Sequence, residues 1–221
     1  LRIVNYIDDK GVEHFIYHLN APDTPYIDIT TSGWSFCREC DLMMRRPKNF
    51  REQVKPVDDK DIPLKEIFKF VPIRKKNDKL LFLTYLVSCF VPTIHHPALM
   101  IFGEQGSAKT TTLRIVRELV DPAQQPLFLL TRDTNELALQ LQNNHVVCFD
   151  NLSRLSKPQA DLLCTAVTGG GISKRKLYSD ADEIILKYEN CLCFNGIHLI
   201  TMAPDLLDRA IVFELKRLKE F

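Results

Sequence analysis

Glycine is scarce in this chain. There are 8 in 221 residues, where ordinary usage of roughly 7% gives about 15. A long apolar run is missing too: the longest, residues 80–92, contains Thr84 and Ser88 and falls short of the ~20 residues that span a bilayer. A charge surplus is absent. Lys+Arg is 29 against Asp+Glu 28, a net charge of +1, so no global basic field holds nucleic acid, although local cations still can. No signal peptide is visible, and seven cysteines is an odd count. Together these argue against a secreted disulfide framework and for reduced thiols in a cytoplasmic protein. Disorder is excluded by composition, with 45% hydrophobic and 26% charged residues. The chain opens on Leu1 and stops soon after a strand-like run, which reads as a piece of a longer protein.

Residues 1–46 read as a small β-rich attachment. Runs at 3–7 and 13–17 flank Asp9-Lys10-Gly11, a hairpin-like turn, and 26–30 is another β run broken at Ser32-Gly33 before Trp34. Residues 47–96 read as linker and helical segment. Pro47, Pro56 and Pro63 punctuate it. Helices are expected over 64–70 and 78–90, the second capped by Asn77 or Asp78.

Residues 97–221 change character. The apolar run 98–102 suits a buried parallel strand. A helix over 110–120 places Leu113, Val116 and Val120 on one face. Strands are expected at 126–130 and 145–149. Asp133 with Glu136, and Ser156 with Gln159, form capping boxes for two further helices. Strand-like runs recur at 183–186, 191–194 and 210–215. This alternation predicts an α/β fold: a parallel sheet flanked by helices, carrying the β-rich attachment and helical linker.

Between the first core strand and its helix lies Gly103-Glu104-Gln105-Gly106-Ser107-Ala108-Lys109-Thr110, followed by Thr111. The spacing is that of the phosphate-binding loop, G-x-x-x-x-G-K-[ST]. Backbone N–H groups of such a loop converge on anionic oxygens at a helix N-terminus. Lys109 suits the β- and γ-phosphates, and the Thr110 hydroxyl suits Mg²⁺. Ala108 stands where the second glycine is expected. Nucleotide contact is assigned to residues 103–111, and ATP with Mg²⁺ is the expected ligand pair. The bland alternative is a plain strand–turn–helix connection.

Asp150 ends an apolar strand and is the expected second Mg²⁺ ligand; a strand-ending Asp that simply starts a turn is the alternative. Asn151 stands where many such enzymes carry an acidic base, so hydrolysis is slow, uses a base from elsewhere, or leaves Asp150 both roles. Asn195 ends the run 191–194, where its amide can position water; a plain Asn195-Gly196 turn is the alternative. Arg209, before the last strand, can reach a neighbouring subunit's γ-phosphate; a surface salt bridge to Asp205 or Asp208 competes with that reading. Lys109, Asp150, Asn195 and Arg209 form the expected catalytic set. After Gly169-Gly170-Gly171 comes a hairpin pattern carrying Lys174, Arg175 and Lys176, cations suited to a single-stranded DNA backbone or to a solvated surface.

Cys37-Arg38-Glu39-Cys40, with His14 and His18 upstream, raises a zinc site. Four residues along a strand is roughly 13 Å, too far for both histidines to chelate one ion. His95-His96 carries no assignable role, and no nucleophile–base triad is found.

The chain resembles the superfamily 3 helicases and wider AAA+ ATPases, most closely the replication ATPase modules of phages and integrated mobile elements. The residues that carry the likeness are 103–109, Phe149-Asp150-Asn151-Leu152-Ser153, Thr168-Gly169-Gly170-Gly171 and Asp208-Arg209-Ala210-Ile211. It covers about residue 97 to the C-terminus, and more faintly 26–47. The resemblance implies ATP hydrolysis in a ring, commonly a hexamer, with Arg209 acting in trans and the hairpin lysines gripping single-stranded DNA in a central channel. Ala108 and Asn151 depart from the pattern and bear on hydrolysis more than on binding. The other readings are a slow nucleotide-dependent switch acting on a protein partner, and a degenerate structural P-loop domain. No membrane partner is expected.

Overall fold

A computed structural model describes residues 2–40, 42, 44, 46–57, 62–175, 183–187, 189–197 and 203–218, with 171–175 and 183–187 described by their backbone. The N-terminal sheet is an antiparallel meander of β1 (Ile3–Ile7), β2 (Glu13–His18), β3 (Tyr26–Thr30) and β4 (Gly33–Cys37). The strand β4 is additional to the expected runs; it begins directly after the Thr31-Ser32 turn and pairs with β3 from Gly33 to Cys37. His14 and His18 both lie on β2 and turn to different partners. His14 Nδ1 meets the Asp28 carboxylate at 2.9 Å, and His18 packs edge-on against Tyr26 and Phe50.

The linker forms a 3₁₀ turn over Leu64–Lys69 and then α1 (Lys76–Ser88). That helix starts earlier than expected. Lys75 is its N-cap, and Asp78 sits in the first turn, where a carboxylate favours the positive end of the helix dipole.

The second sheet is parallel, in the order β10–β5–β9–β6, built from β5 (Ala98–Gly103), β6 (Val146–Phe149), β9 (Cys191–Gly196) and β10 (Ala210–Leu215). Its strands are apolar on both faces because helices cover both. Leu99, Ile101, Val146, Cys148, Cys191, Cys193 and Phe213 point to α1 and α2 (Lys109–Val120). Met100, Val147, Phe149, Leu192 and Phe194 point to α3 (Thr134–Gln142) and α4 (Lys157–Val167). The short α5 (Pro204–Leu207) closes that side through Leu206.

The strand expected at 126–130 does not form. Phe128 alone pairs with β6, its N–H donating to Cys148 O at 2.8 Å. Pro126 has no N–H to give, and the chain turns away at Thr131. Asp133 caps α3 by accepting from Asn135 N at 2.8 Å, but Glu136 does not complete the box: it accepts from the Thr131 hydroxyl at 2.6 Å, and Asp133 N donates to that same hydroxyl at 3.3 Å. For α4, Ser156 N donates to Gln159 Oε1 at 2.7 Å, as the sequence pattern predicts. After α4, β7 (Gly171–Arg175) and β8 (Glu183–Lys187) pair antiparallel as a hairpin.

The N-terminal sheet is clamped to the far end of α2. The last carbonyls of a helix have no intrahelical donor. Here Tyr17 Oη donates to Val120 O at 2.7 Å and Gln53 Nε2 to Leu119 O at 2.9 Å. Asp121, fully buried, accepts from Arg2 Nε and Arg117 Nη1, both at 2.8 Å, and from the N–H groups of His145 and Val146. The Arg2 guanidinium also lies over the Phe50 ring. Among the described residues, no helix is long and apolar enough to cross a membrane.

Candidate functional site

The loop 103–108 leaves β5 at the C-terminal end of the sheet and enters α2. Gly103 has φ +144, and a Cβ there would lie 2.1 Å from Leu215 O of the neighbouring strand; only glycine fits that approach. Gly106 has φ +79. Ala108 is the N-cap of α2 at φ 62, ψ 25, the left-handed region. The position that the motif gives to glycine therefore does demand a glycine-like backbone, and alanine adopts it at a cost of roughly 1–2 kcal/mol.

Ser107 is buried, whereas Glu104, Gln105 and Gly106 are exposed. Lys109 folds over the loop, its Nζ donating to Gly103 O and Glu104 O, each at 2.7 Å. Partial burial lowers the Lys109 pKa, opposed by nearby Asp150. Thr110 faces the sheet, and Thr111 is exposed in the first turn of α2.

Three elements meet beside the loop. Thr110 Oγ1, on α2, donates to Asp150 Oδ1 at 2.8 Å. Asn195 Nδ2, on β9, donates to the same oxygen at 2.5 Å and lies 3.3 Å from Thr110 Oγ1. Asn195 Oδ1 accepts from Asn151 N at 2.6 Å, and Asn195 O accepts from Leu152 N at 2.7 Å. The amide is thus occupied on both sides. It orients Asp150 and the turn after it. Asn151 is at φ 58, a conformation that asparagine tolerates better than most residues.

The set Thr110–Asp150 offers hard oxygen ligands of the kind that Mg²⁺ takes, beside the Lys109 loop. Beyond Asp150 a cleft of about 790 Å³ opens, lined in part by Arg132, Arg154 and Lys157. Sequence spacing carried no signal for these cations, which come from two separate loops and a helix start.

Arg209 stands apart from this cluster. Its carbonyl accepts from Ala98 N, at the start of β5, while the phosphate loop follows the end of β5. The separation is the length of that strand, roughly 17 Å. Its guanidinium meets Asp205 Oδ1 at 3.1 Å. Lys174 and Arg175 lie on β7, opposite Ile184 and Glu183 in register. Lys176 lies outside the described residues.

A family model described as actinomycete integrative conjugative element replication protein matches residues 64–220. No curated protein matches the chain significantly. Among solved structures, a point mutant of RuvB from Thermotoga maritima is 19% identical, with 65% of this chain and 46% of that one covered and a TM-score of 0.46. A ligand-bound JCV helicase is 11% identical, with 71% and 46% covered and a TM-score of 0.44. The apo C-terminal region of NrS-1 is 13% identical, with 98% and 59% covered and a TM-score of 0.47. The chain spans about half the length of these structures. The expected kinship with replication proteins of mobile elements is borne out by the family match, which takes in all of the parallel sheet and its phosphate-type loop. The chain belongs to the actinomycete integrative conjugative element replication protein family.

Proposed function

We propose that this chain is the ATP-binding and hydrolysing core of a replication motor that acts on single-stranded DNA. The observation that carries the reading is the hydrogen-bonded set Thr110–Asp150–Asn195 beside the Lys109 loop. Loop N–H groups and Lys109 bind the phosphates. Thr110 and Asp150 hold Mg²⁺, which supplies charge neutralisation on the β- and γ-phosphates when bound. Asn195 keeps Asp150 aimed, because its side-chain amide donates to the Oδ1 oxygen that Thr110 also meets.

Arg209 lies too far along β5 to serve its own loop. It therefore serves a neighbouring subunit's nucleotide, and the active form is a ring of copies. The β7–β8 pair, with Lys174 and Arg175 on β7 and Lys176 next in sequence, carries the DNA contact. Its place between α4 and β9 supports a link to the nucleotide site, since β9 ends in Asn195.

Asn151 favours a second reading. Its amide cannot take a proton, and a site without an adjacent base suits slow turnover, as in a nucleotide-dependent switch acting on a protein partner.

The deciding experiment measures ATPase rate in the full-length protein with and without single-stranded DNA. The motor reading expects stimulation by DNA, loss of activity in Lys109→Ala, and loss of DNA binding in Lys174→Ala/Lys176→Ala. An ATPase rate indifferent to DNA, with DNA binding unchanged in the hairpin variant, overturns it in favour of the switch.

A further inference from the structure

The phosphate-type loop has a second cation beside it, contributed from the opposite edge of the sheet. β10 runs parallel to β5 in register up to Leu215 opposite Gly103. The chain leaving β10 then passes along the loop, and Leu218 N donates to Gly106 O at 3.1 Å. A methyl group placed on Gly106 would lie 3.8 Å from both Cγ and Nε of Arg217. Arg217 therefore stands against the middle of the loop from the β10 side, and its residue is exposed. Thr110, Asp150 and Asn195 stand on the other side, that of β9 and β6.

We infer that Arg217 is a nucleotide-contacting residue, reaching the bound nucleotide at the end remote from Mg²⁺. The inference rests on the phosphate-loop reading above. The Thr110–Asp150 pair sets where the metal and the terminal phosphates lie, so the β10 side receives the α-phosphate and the nucleoside. A guanidinium suits either partner there. It is permanently charged, its planar fork matches phosphate oxygens, and its face stacks on an aromatic base. Because the contact is made away from the terminal phosphate, ATP and ADP share it. Lys109 and Arg217 thus divide the work, the first acting on the terminal phosphates and the second on the part common to both nucleotides.

Calorimetric titration of the full-length protein with ATP and with ADP tests this, using wild type, Arg217→Ala, Arg217→Lys and Lys109→Ala. Thermal denaturation of each variant checks that it folds. Arg217→Ala is expected to weaken ATP and ADP binding by the same factor, about tenfold for an exposed charge-assisted contact, with and without Mg²⁺. Arg217→Lys is expected to retain part of the affinity. Unchanged affinity in Arg217→Ala overturns the inference while leaving the loop reading intact. A loss confined to ATP also overturns it, since the contact is then to the terminal phosphate. A wild type that binds neither nucleotide, or a Lys109→Ala variant that binds like wild type, overturns the loop reading and this inference with it.

Discussion

Asn195 donates its side-chain amide to Asp150 Oδ1 at 2.5 Å while accepting from the Asn151 N–H at 2.6 Å. The second bond decides the orientation of the first. A backbone N–H can only donate, so Oδ1 must face Asn151 and the NH₂ must face the carboxylate.

Replacing Asn195 by Asp keeps the acceptor for Asn151 and sets a second carboxylate against Asp150. Like charges at that range repel and turn the Asp150 carboxylate away from Thr110. ATPase turnover is expected to fall by about tenfold or more in Asn195→Asp, and by less in Asn195→Ala, which loses the hydrogen bond but adds no charge. Unchanged turnover in Asn195→Asp contradicts the proposed hold on Asp150.

Ala108→Gly is expected to stabilise the protein. It removes a left-handed alanine costing roughly 1–2 kcal/mol, less about 0.4–1 kcal/mol for the freer unfolded chain. A net gain of about 0.5–1 kcal/mol, read from the denaturant midpoint, is the expected result. A fall in the midpoint refutes the strain argument.

Gly103→Ala acts in the opposite direction. The new methyl meets Leu215 O at 2.1 Å, and that atom belongs to a paired strand and cannot swing aside. A loss of about 2 kcal/mol or more is expected, measurable in the same titration.

Acid lability has two stages. Burial first, then the nearby Arg2 charge, holds His18 down to about 4 against a usual 6.5; burial, then His145, does the same for His96. Both are neutral in the fold and bind protons more readily when unfolded. Their stabilisation is full above about pH 6.5 and declines as pH falls towards 4. Arg117 and Arg2 hold Asp121 well below its usual 3.8 despite burial, so its share is full above that value and is lost at still lower pH. Denaturant midpoints between pH 8 and 3 are expected to fall as pH drops below about 6.5 and to keep falling, less steeply, below about 4, where Asp121 takes over from the two histidines. Asp121→Ala leaves two buried guanidinium groups unpaired and is expected to cost about 3–5 kcal/mol at neutral pH.

Arg209→Ala is expected to leave ATP affinity within about twofold and to lower turnover by about 10³ in the assembled full-length protein. Mixing it with Lys109→Ala subunits restores part of the activity if Arg209 serves a neighbour. Failure of every mixing ratio to recover activity contradicts action in trans.

Much of the parallel sheet was legible because a buried strand writes itself as an unbroken apolar run. The runs at 98–102, 191–194 and 210–215 became β5, β9 and β10 with small changes at their ends. The run at 126–130 has similar composition and failed as a strand, because pairing depends on where the chain goes next: only Phe128 meets a partner before the turn to α3. Capping was half legible for a related reason. Asp133 reaches its own helix N-terminus as its type predicts, but Glu136 had a closer donor in Thr131, and its geometry is not written in the spacing.

The candidate site divides along the same line. The residue types and spacing of 103–110 already state a loop for anionic oxygens, since those groups are contiguous and their backbone geometry is local. What joins Thr110 to Asp150 across 40 positions, and Asp150 to Asn195 across 45, is the strand order β5–β9–β6. That order also sends Arg209 to the end of β5 away from the loop and brings Arg217 beside it. A parallel strand has its start and its finish at opposite ends of the sheet, so eight residues of sequence separate two arginines into two different places. The amino-acid sequence by itself determined which segments are buried strands and which loop can cradle phosphate. Only tertiary structure decided which side chains share one oxygen, because hydrogen bonds over 2.5–2.8 Å depend on strand order and register that no local pattern encodes.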